Sequence, residues 1–191
     1  MNFRTKIQIK KSPIKINHKQ KILLLGSCFA QNMQVKFAEG GFEAMHPFGA
    51  IYNPYSVANS FKLIAEKQIP SVESLFFQKD KWNSYAFHSS YSSADKNEAI
   101  RQMSDAINKA NDILNSEDPI IVITLGTSWV YELNETGEIV ANCHHSNANC
   151  FTRRAMDVEE IIEVLSPICQ TGKRIVFTVS PVRHLKDGAH V

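Results

Sequence analysis

The sequence predicts a three-layer α/β/α sandwich, in which a mainly parallel β-sheet lies between two layers of helices. Three aliphatic runs, Ile22–Leu25, Ile120–Leu125 and Arg174–Val179, are short enough for strands and apolar enough to be buried on both faces. Segments with apolar residues at helical spacing separate these runs. Buried strands that alternate with amphipathic helices are typical of a parallel sheet covered on both faces.

The first strand is predicted over residues 21–25 and passes through Gly26 and Ser27 into a helix over residues 28–39. Two consecutive glycines after residue 39 end that helix, because glycine readily adopts the left-handed conformation found after helix ends. Three of its residues recur at helical spacing and are expected to face the core: Phe29, Met33 and Phe37.

The next segments are less regular. Proline, glycine and asparagine predict a loop over residues 46–56 and then a helix over residues 57–66, with Asn53 or Ser56 as its cap. Residues 70–93 alternate aromatic residues with serines, and we predict an irregular region with short strands. We expect the aromatic residues of this region to pack on the core.

The second half of the chain has clearer sequence patterns for helices and strands. Apolar residues at steps of three and four predict a helix over residues 94–114. A turn at residues 134–137 between two apolar segments predicts a hairpin after the second strand. Asp157 followed by Glu160 is the pattern of a capping box, which opens a third strong helix before the last strand.

The composition excludes several classes of function. The chain has 191 residues, which suits one domain, and its net charge of +2 gives no reason to expect nucleic acid as a partner. It has no apolar run of about 18 residues and no secretion signal, so we predict no membrane contact and a cytoplasmic location. Its four cysteines are expected to be free thiols. Because the chain ends on a loop rich in reactive side chains, we expect a C-terminally truncated fragment.

The three strongest strands predict a shared site. All three segments that follow them carry small, polar or titratable side chains: residues 26–28, 126–128 and 180–184. In open α/β sheets, ligands bind beyond the carboxyl ends of the strands. If the strands are parallel, one cleft collects two hydroxyl-bearing turns together with Arg183 and His184.

Ser27 is the best candidate for a nucleophile in this cleft. Gly26 permits a sharp bend that lifts Ser27 onto the first turn of a helix, where unpaired amides favour negative charge. Such amides stabilise the oxyanion of an acyl-transfer intermediate, although a serine also needs a base nearby. The alternative is that Ser27 only caps the helix, for which serine is well suited.

Five blocks of the chain resemble one family. The GSCFA motif itself is at residues 26–30, and the other blocks follow in the same order as in the GSCFA domain family: HPFGAIYNP (46–54), TLGTSWVYE (124–132), NCH (142–144) and TVSPVRHLKDG (178–188). That family resembles the SGNH, or GDSL-like, hydrolase superfamily. The resemblance implies one domain over residues 1–191, with its core over 21–191 and an SGNH-hydrolase-like, flavodoxin-like sheet.

The resemblance also implies roles for individual residues. Ser27 matches the nucleophile, and its own amide would donate to the oxyanion. Gly49 matches a glycine whose amide donates to the same oxygen. Ser128 stands where the superfamily usually has an asparagine, so a hydroxyl with a shorter reach would replace the amide there. Gly26 and Thr127 are expected to line the substrate cleft.

The base is less clearly indicated. Asp187 and His190 match the superfamily's D-x-x-H pattern by letter, but they follow the preceding block too closely, and we expect the true block beyond residue 191. His184 is the alternative base within the chain. Arg183 lines the cleft in this interpretation, where it would bind a substrate anion or pair with a buried acid such as Glu132.

Two other groups of residues carry reactive side chains. Cys143, His144, His145 and Cys150 are possible zinc ligands, but their spacing is unusual and adjacent strand residues point to opposite faces, so we predict no metal. His144 is instead expected to line the cleft. Cys28 is a possible nucleophile at the helix start, but we interpret it as a small buried residue.

These observations predict an SGNH-like serine ester hydrolase or acyltransferase that needs no cofactor and acts on a small-molecule or glycan ester. A different class of function is also open. The same fold would serve as a non-catalytic anion- or carbohydrate-binding module, since a helix N-terminus binds anions without any chemistry.

Overall fold

The computed structural model describes residues 11–13 and 15–179. The strands are β1 (Ile22–Gly26), β2 (Ala44–Met45), β3 (Phe76–Gln78), β4 (Lys81–Asn83), β5 (Ile120–Leu125), β6 (Trp129–Leu133), β7 (Ile139–Val140), β8 (Phe151–Ala155) and β9 (Arg174–Val179). The helices are α1 (Cys28–Glu39), α2 (Pro54–Ala65), α3 (Lys96–Leu114) and α4 (Val158–Cys169), with single 3₁₀ turns at Val72–Ser74, Ser89–Tyr91 and Ala148–Cys150.

Four strands form the central sheet, in the order β2-β1-β5-β9, and every pair is parallel. This confirms the predicted parallel sheet. The chain goes from β1 outward to β2 and then returns across β1 to β5, so the order reverses between β1 and β5. Such a reversal leaves a crevice beyond the carboxyl ends of the two strands, and ligands of open α/β sheets bind there. Gly26 pairs with Thr124 at this edge.

Helices cover both faces of the sheet, which confirms the three-layer sandwich. Leu23 and Leu25 of β1 pack in the larger apolar cluster with residues of α2, α3 and α4. Ile22 and Leu24 face the other way and pack with Ala30 of α1. Because successive strand residues point to opposite faces, the aliphatic run of β1 serves both layers and is completely buried.

Several predicted boundaries needed correction. The loop predicted over residues 46–56 is shorter, because α2 already begins at Pro54, a residue well suited to the first position of a helix. Asn53, one of the two predicted caps, accepts a hydrogen bond from the Ser56 amide at 2.8 Å. The apolar face of α1 is weaker than its spacing suggested, since Phe29 is half exposed and only Ala30 is fully buried.

A second, antiparallel sheet follows β5. The predicted hairpin is confirmed as β6 and β7, but β8 also pairs with β6 and was not predicted. The capping box that opens α4 is confirmed, with Asp157 and Glu160 bonded reciprocally. All four cysteines are free thiols, as expected. None of the helices in the described ranges is both long and apolar enough to cross a bilayer.

Candidate active site

The Gly26–Ser27 turn lies at the reversal point between β1 and β5. Gly26 has φ +125°, and a Cβ placed there would lie 2.1 Å from the carbonyl oxygen of Thr124. No side chain fits in that space, because the obstacle is backbone of the neighbouring strand. The turn therefore requires glycine, and the predicted bend before Ser27 is present.

The carbonyl of Gly26 is held from two directions. His46 donates from Nε2 to this oxygen at 3.2 Å, and the amide of Ile51 donates to it at 2.8 Å. His46 is buried, and burial lowers its pKa, so the neutral ring with its proton on Nε2 fits this bond. The sequence showed His46 only as the first letter of a family block, and its partner is twenty residues away.

Ser27 caps α1. Its side chain is 4% exposed, and Oγ accepts a hydrogen bond from the amide of Phe29 at 3.4 Å. The amide of Ser27 donates to the carbonyl of Thr124 at 3.2 Å. The pairing of β1 with β5 thus engages the Ser27 amide in this structure, and its expected donation to an oxyanion stays a prediction.

Two other amides are available for that task. The amide of Cys28, at the first position of α1, and the amide of Gly49 donate no hydrogen bond to any described residue. The first is one of the unpaired donors found at every helix start. The exposed side chain of Cys28 also corrects our expectation of a small buried residue.

Gly49 is fixed by its surroundings. It has φ +71°, and a Cβ there would lie 2.4 Å from Cβ of His88. The neighbouring Phe48 is buried and stacks on Phe87 with 4.3 Å between ring centroids. The amide of His88 donates to the carbonyl of Phe48 at 3.0 Å. These contacts therefore fix the loop at Phe48, the residue before Gly49.

The turn after β5 lies against the Ser27 turn. A Cβ on Gly126 would lie 3.5 Å from Cβ of Ser27 and 3.0 Å from Cδ1 of Tyr52. The amides of Gly126 and Thr127 both donate to the carbonyl of Tyr52, at 2.9 and 3.1 Å. The structure therefore brings together the first two strand ends, as the sequence predicted.

Thr127 and Ser128 have different surroundings. Thr127 lines a cleft of about 340 Å³ together with Tyr52, Trp129 and Tyr131, and its Oγ1 accepts from the Trp129 amide at 3.1 Å. The carbonyl of Ser128 accepts from the amide of Met156 at 2.9 Å. No described contact joins Ser128 to Ser27, so its role at the oxyanion stays a prediction.

His144 is buried away from solvent. It donates from Nε2 to the carbonyl of Ser84 at 2.7 Å and packs edge-on against Phe76, while Nδ1 has no partner among the described residues. Burial lowers its pKa. These contacts fix the loop that carries His144, and none of them is with Ser27, so its predicted place in the cleft stays a prediction. The described residues contain no group of three or more potential metal ligands.

The third predicted strand end falls outside the described residues. Arg183, His184, Asp187 and His190 all lie there, so their predicted roles stay predictions. The acid suggested as a partner of Arg183, Glu132, accepts from Nε of Arg154 at 2.6 Å. A pairing of Glu132 with Arg183 also stays a prediction.

The described part of the site thus combines three features. They are a buried hydroxyl at a helix start, the unengaged amides of Cys28 and Gly49, and two clefts. Gly49 lines one cleft and Thr127 lines the other. Such a set can hold an anion, and it can also stabilise the charge that develops on a carbonyl oxygen when the hydroxyl attacks. The proton acceptor for that attack is absent from the described contacts of Ser27.

One comparison with known proteins gives a match. The model of the GSCFA family matches residues 21–191, which is nearly the whole chain. No curated protein and no solved structure matches it.

Proposed function

The chain belongs to the GSCFA family, and from that premise and the geometry of the Ser27 turn we propose that it is an SGNH-like serine ester hydrolase or acyltransferase. The observation that carries the proposal is the position of Ser27. It starts a helix at the reversal point of a parallel sheet, next to the unengaged amide of Cys28. The amide of Gly49, the glycine matched by the family resemblance, is also unengaged.

In the proposed reaction, Oγ of Ser27 attacks the carbonyl carbon of an ester and the carbonyl oxygen becomes an oxyanion. The amides of Cys28 and Gly49 and the hydroxyl of Ser128 donate to that oxygen. A base takes the proton of Ser27 and passes it to the departing alcohol, which leaves an acyl-enzyme. Water then releases the acid, or a second alcohol accepts the acyl group.

Within this chain we propose His184 as the base, and His190 matches the D-x-x-H pattern by letter only. His46 and His144 are weaker candidates, because the described contacts of each ring include none with Oγ of Ser27. Replacing His184 or His190 by glutamine, one at a time, separates the two assignments. The variant that loses activity against simple esters identifies the base.

A fluorophosphonate probe on the full chain tests the nucleophile, because Oγ of an activated serine displaces fluoride from its phosphorus. We expect labelling of the wild type and none of Ser27→Ala. Ser60→Ala, which alters another buried serine on α2, is the matched control and should label normally. Labelling that survives Ser27→Ala would remove Ser27 from the proposed mechanism.

A second function is supported by one observation. Oγ of Ser27 accepts a hydrogen bond from the Phe29 amide, and its described contacts include no side chain that would take its proton. A site that only binds an anion needs no such base. In that case the chain is a non-catalytic module for anions or carbohydrates. Phosphate binding that depends on the Ser27 turn, with no labelling and no ester turnover, would support it.

A further inference from the structure

A cleft of about 490 Å³ adjoins the candidate active site. It lies between α1, the loop after β2, and α3, and both His46 and Gly49 line it. Its size is within the usual range for small-molecule sites. Neither the family match nor the mechanism proposed above says what this cleft binds.

The cleft runs along the helix that Ser27 caps. Ser27, Gln31 and Gln34 are spaced by four and three residues, which places them on one face of α1. At 1.5 Å of rise per residue, the two glutamines lie about 6 and 10 Å along the helix from Ser27. Gly49, the proposed donor to the oxyanion, lines the same cleft. A group held between α1 and α3 therefore lies along the same helix as the nucleophile.

The walls of the cleft are rich in groups that both donate and accept hydrogen bonds. Gln31 and Gln34 supply carboxamides from α1, and Gln102 supplies a third from α3. The carboxamide of Gln102 donates to Glu98 at 2.8 Å, which leaves its oxygen as an acceptor for a ligand. Hydroxyl groups, which also donate and accept, match such walls.

Charge in the cleft is modest and partly compensated. Arg101 donates to both carboxylate oxygens of Glu98 at 2.8 Å and lies 3.7 Å from Asp105. Lys109, two turns further along α3, forms no ion pair with a described residue. Met45, Tyr91 and Ala106 supply the apolar part of the lining.

We propose that this cleft binds the alcohol part of the ester, and that this alcohol is a sugar. The inference rests on the proposed esterase or acyltransferase function and specifies its substrate class. The hydroxyls of the sugar bond to Gln31, Gln34 and Gln102, and its acylated oxygen lies at the Ser27 end. The acyl group lies outside this cleft.

The test compares two substrates with the same acyl group. The full chain is assayed with 6-O-acetylglucose and with ethyl acetate, in the wild type and in a Gln31→Met/Gln34→Met variant. Methionine keeps the length of glutamine and removes its hydrogen bonds. We expect KM for the sugar ester to rise about tenfold, because two hydrogen bonds of ordinary net strength are lost. The rates with ethyl acetate and with the fluorophosphonate probe should change less than twofold.

Gln68→Met, at an exposed glutamine after α2, is the matched control and should leave both substrates unaffected. Equal effects of the double variant on both esters, or no effect on either, would overturn the sugar assignment and leave the esterase proposal standing. A wild type that prefers ethyl acetate to the sugar ester would overturn it as well.

A direct binding measurement keeps the two proposals separable. Titration of the Ser27→Ala protein with methyl glucoside, methyl xyloside and methyl glucuronide requires no chemistry. Binding of at least one glycoside that weakens about tenfold in the double variant would support the cleft even if no ester is turned over. If none of the three binds, the sugar assignment is wrong, whatever the labelling of Ser27 shows.

Discussion

Replacing Gly49 by alanine should destabilise the protein much more than the same change at Gly137. The two glycines have the same backbone conformation, with φ +71° at both positions. Each alanine variant therefore has the same cost of placing a side chain in the left-handed region, about 1 kcal/mol. Any difference in unfolding free energy between the two variants therefore reflects the atoms that the new methyl group contacts.

The structure gives the size of that difference. Nothing lies within 4 Å of a Cβ at Gly137, whereas a Cβ at Gly49 meets Cβ of His88 at 2.4 Å and its Cγ at 2.9 Å. His88 would have to retreat by about 1 Å to reach ordinary contact, although its amide is bonded to Phe48. Overpacking of this kind costs about 1–3 kcal/mol. We expect Gly49→Ala to lose that much more free energy of unfolding than Gly137→Ala.

Urea denaturation of both variants measures the difference, provided that the slope of the transition is unchanged. A double-mutant cycle with His88→Gly then tests the cause, because that change removes the Cβ which the alanine meets. In the His88→Gly background, most of the extra loss of unfolding free energy caused by Gly49→Ala should disappear. Gly49→Ala and Gly137→Ala variants of equal stability, within about 0.5 kcal/mol, would refute the steric argument.

Two further predictions concern charge. Burial lowers the pKa of His46 and of His144, so below about pH 6.5 the unfolded chain binds protons that the folded chain does not. The free energy of unfolding should therefore fall between pH 7.5 and 5.5, and replacing both histidines by glutamine should flatten that dependence in urea titrations. Arg154→Lys should cost about 0.5–1 kcal/mol, because lysine keeps the charge but loses the paired bonds to Glu160 and the bond to Glu132. An unchanged urea midpoint would show that these exposed bonds contribute nothing.

The fold was largely predictable because its strongest signals are local. An aliphatic run such as Ile120–Leu125 is apolar at nearly every position, which marks a strand buried on both faces whatever its neighbours are. The capping box before α4 is equally local, since Asp157 and Glu160 bond to each other's backbone within one turn. The secondary structure of such segments is determined by their own residues.

The segments that were missed depend on distant partners. The sequence of β8, Phe-Thr-Arg-Arg-Ala, has no apolar alternation, and its two arginines are stabilised from outside the strand. The guanidinium of Arg153 lies 3.7 Å from the centre of the Trp129 ring, and Arg154 pairs with Glu132 on the neighbouring strand and with Glu160 on α4. Strand preference of this kind is created by packing rather than by the residues themselves.

The same distinction applies to the candidate site. That Ser27 and Gly126 lie side by side followed from two strand ends and the assumption of a parallel sheet. The bond of the Ser27 amide to Thr124 did not, because it requires the register that places Gly26 opposite Thr124. The bond from His46 to the Gly26 carbonyl likewise joins residues whose proximity no local pattern encodes.

These distant bonds explain how the turn can be rigid enough for catalysis. The Gly26 carbonyl takes two donors and the Ser27 amide is bonded across the sheet, which fixes the peptide before Ser27. The Ser27 carbonyl accepts from the Ala30 amide at 2.9 Å, so the backbone on both sides of Oγ is fixed before any substrate arrives. Donors aimed in advance at a developing charge need no rearrangement during the reaction, and this is the main source of oxyanion stabilisation. His46 donates its Nε2 proton to the Gly26 carbonyl and so acts on the turn as a positioning residue. The described contacts of Oγ of Ser27 include no histidine, and His184 is the residue within the chain whose replacement tests the proposed transfer of the serine proton.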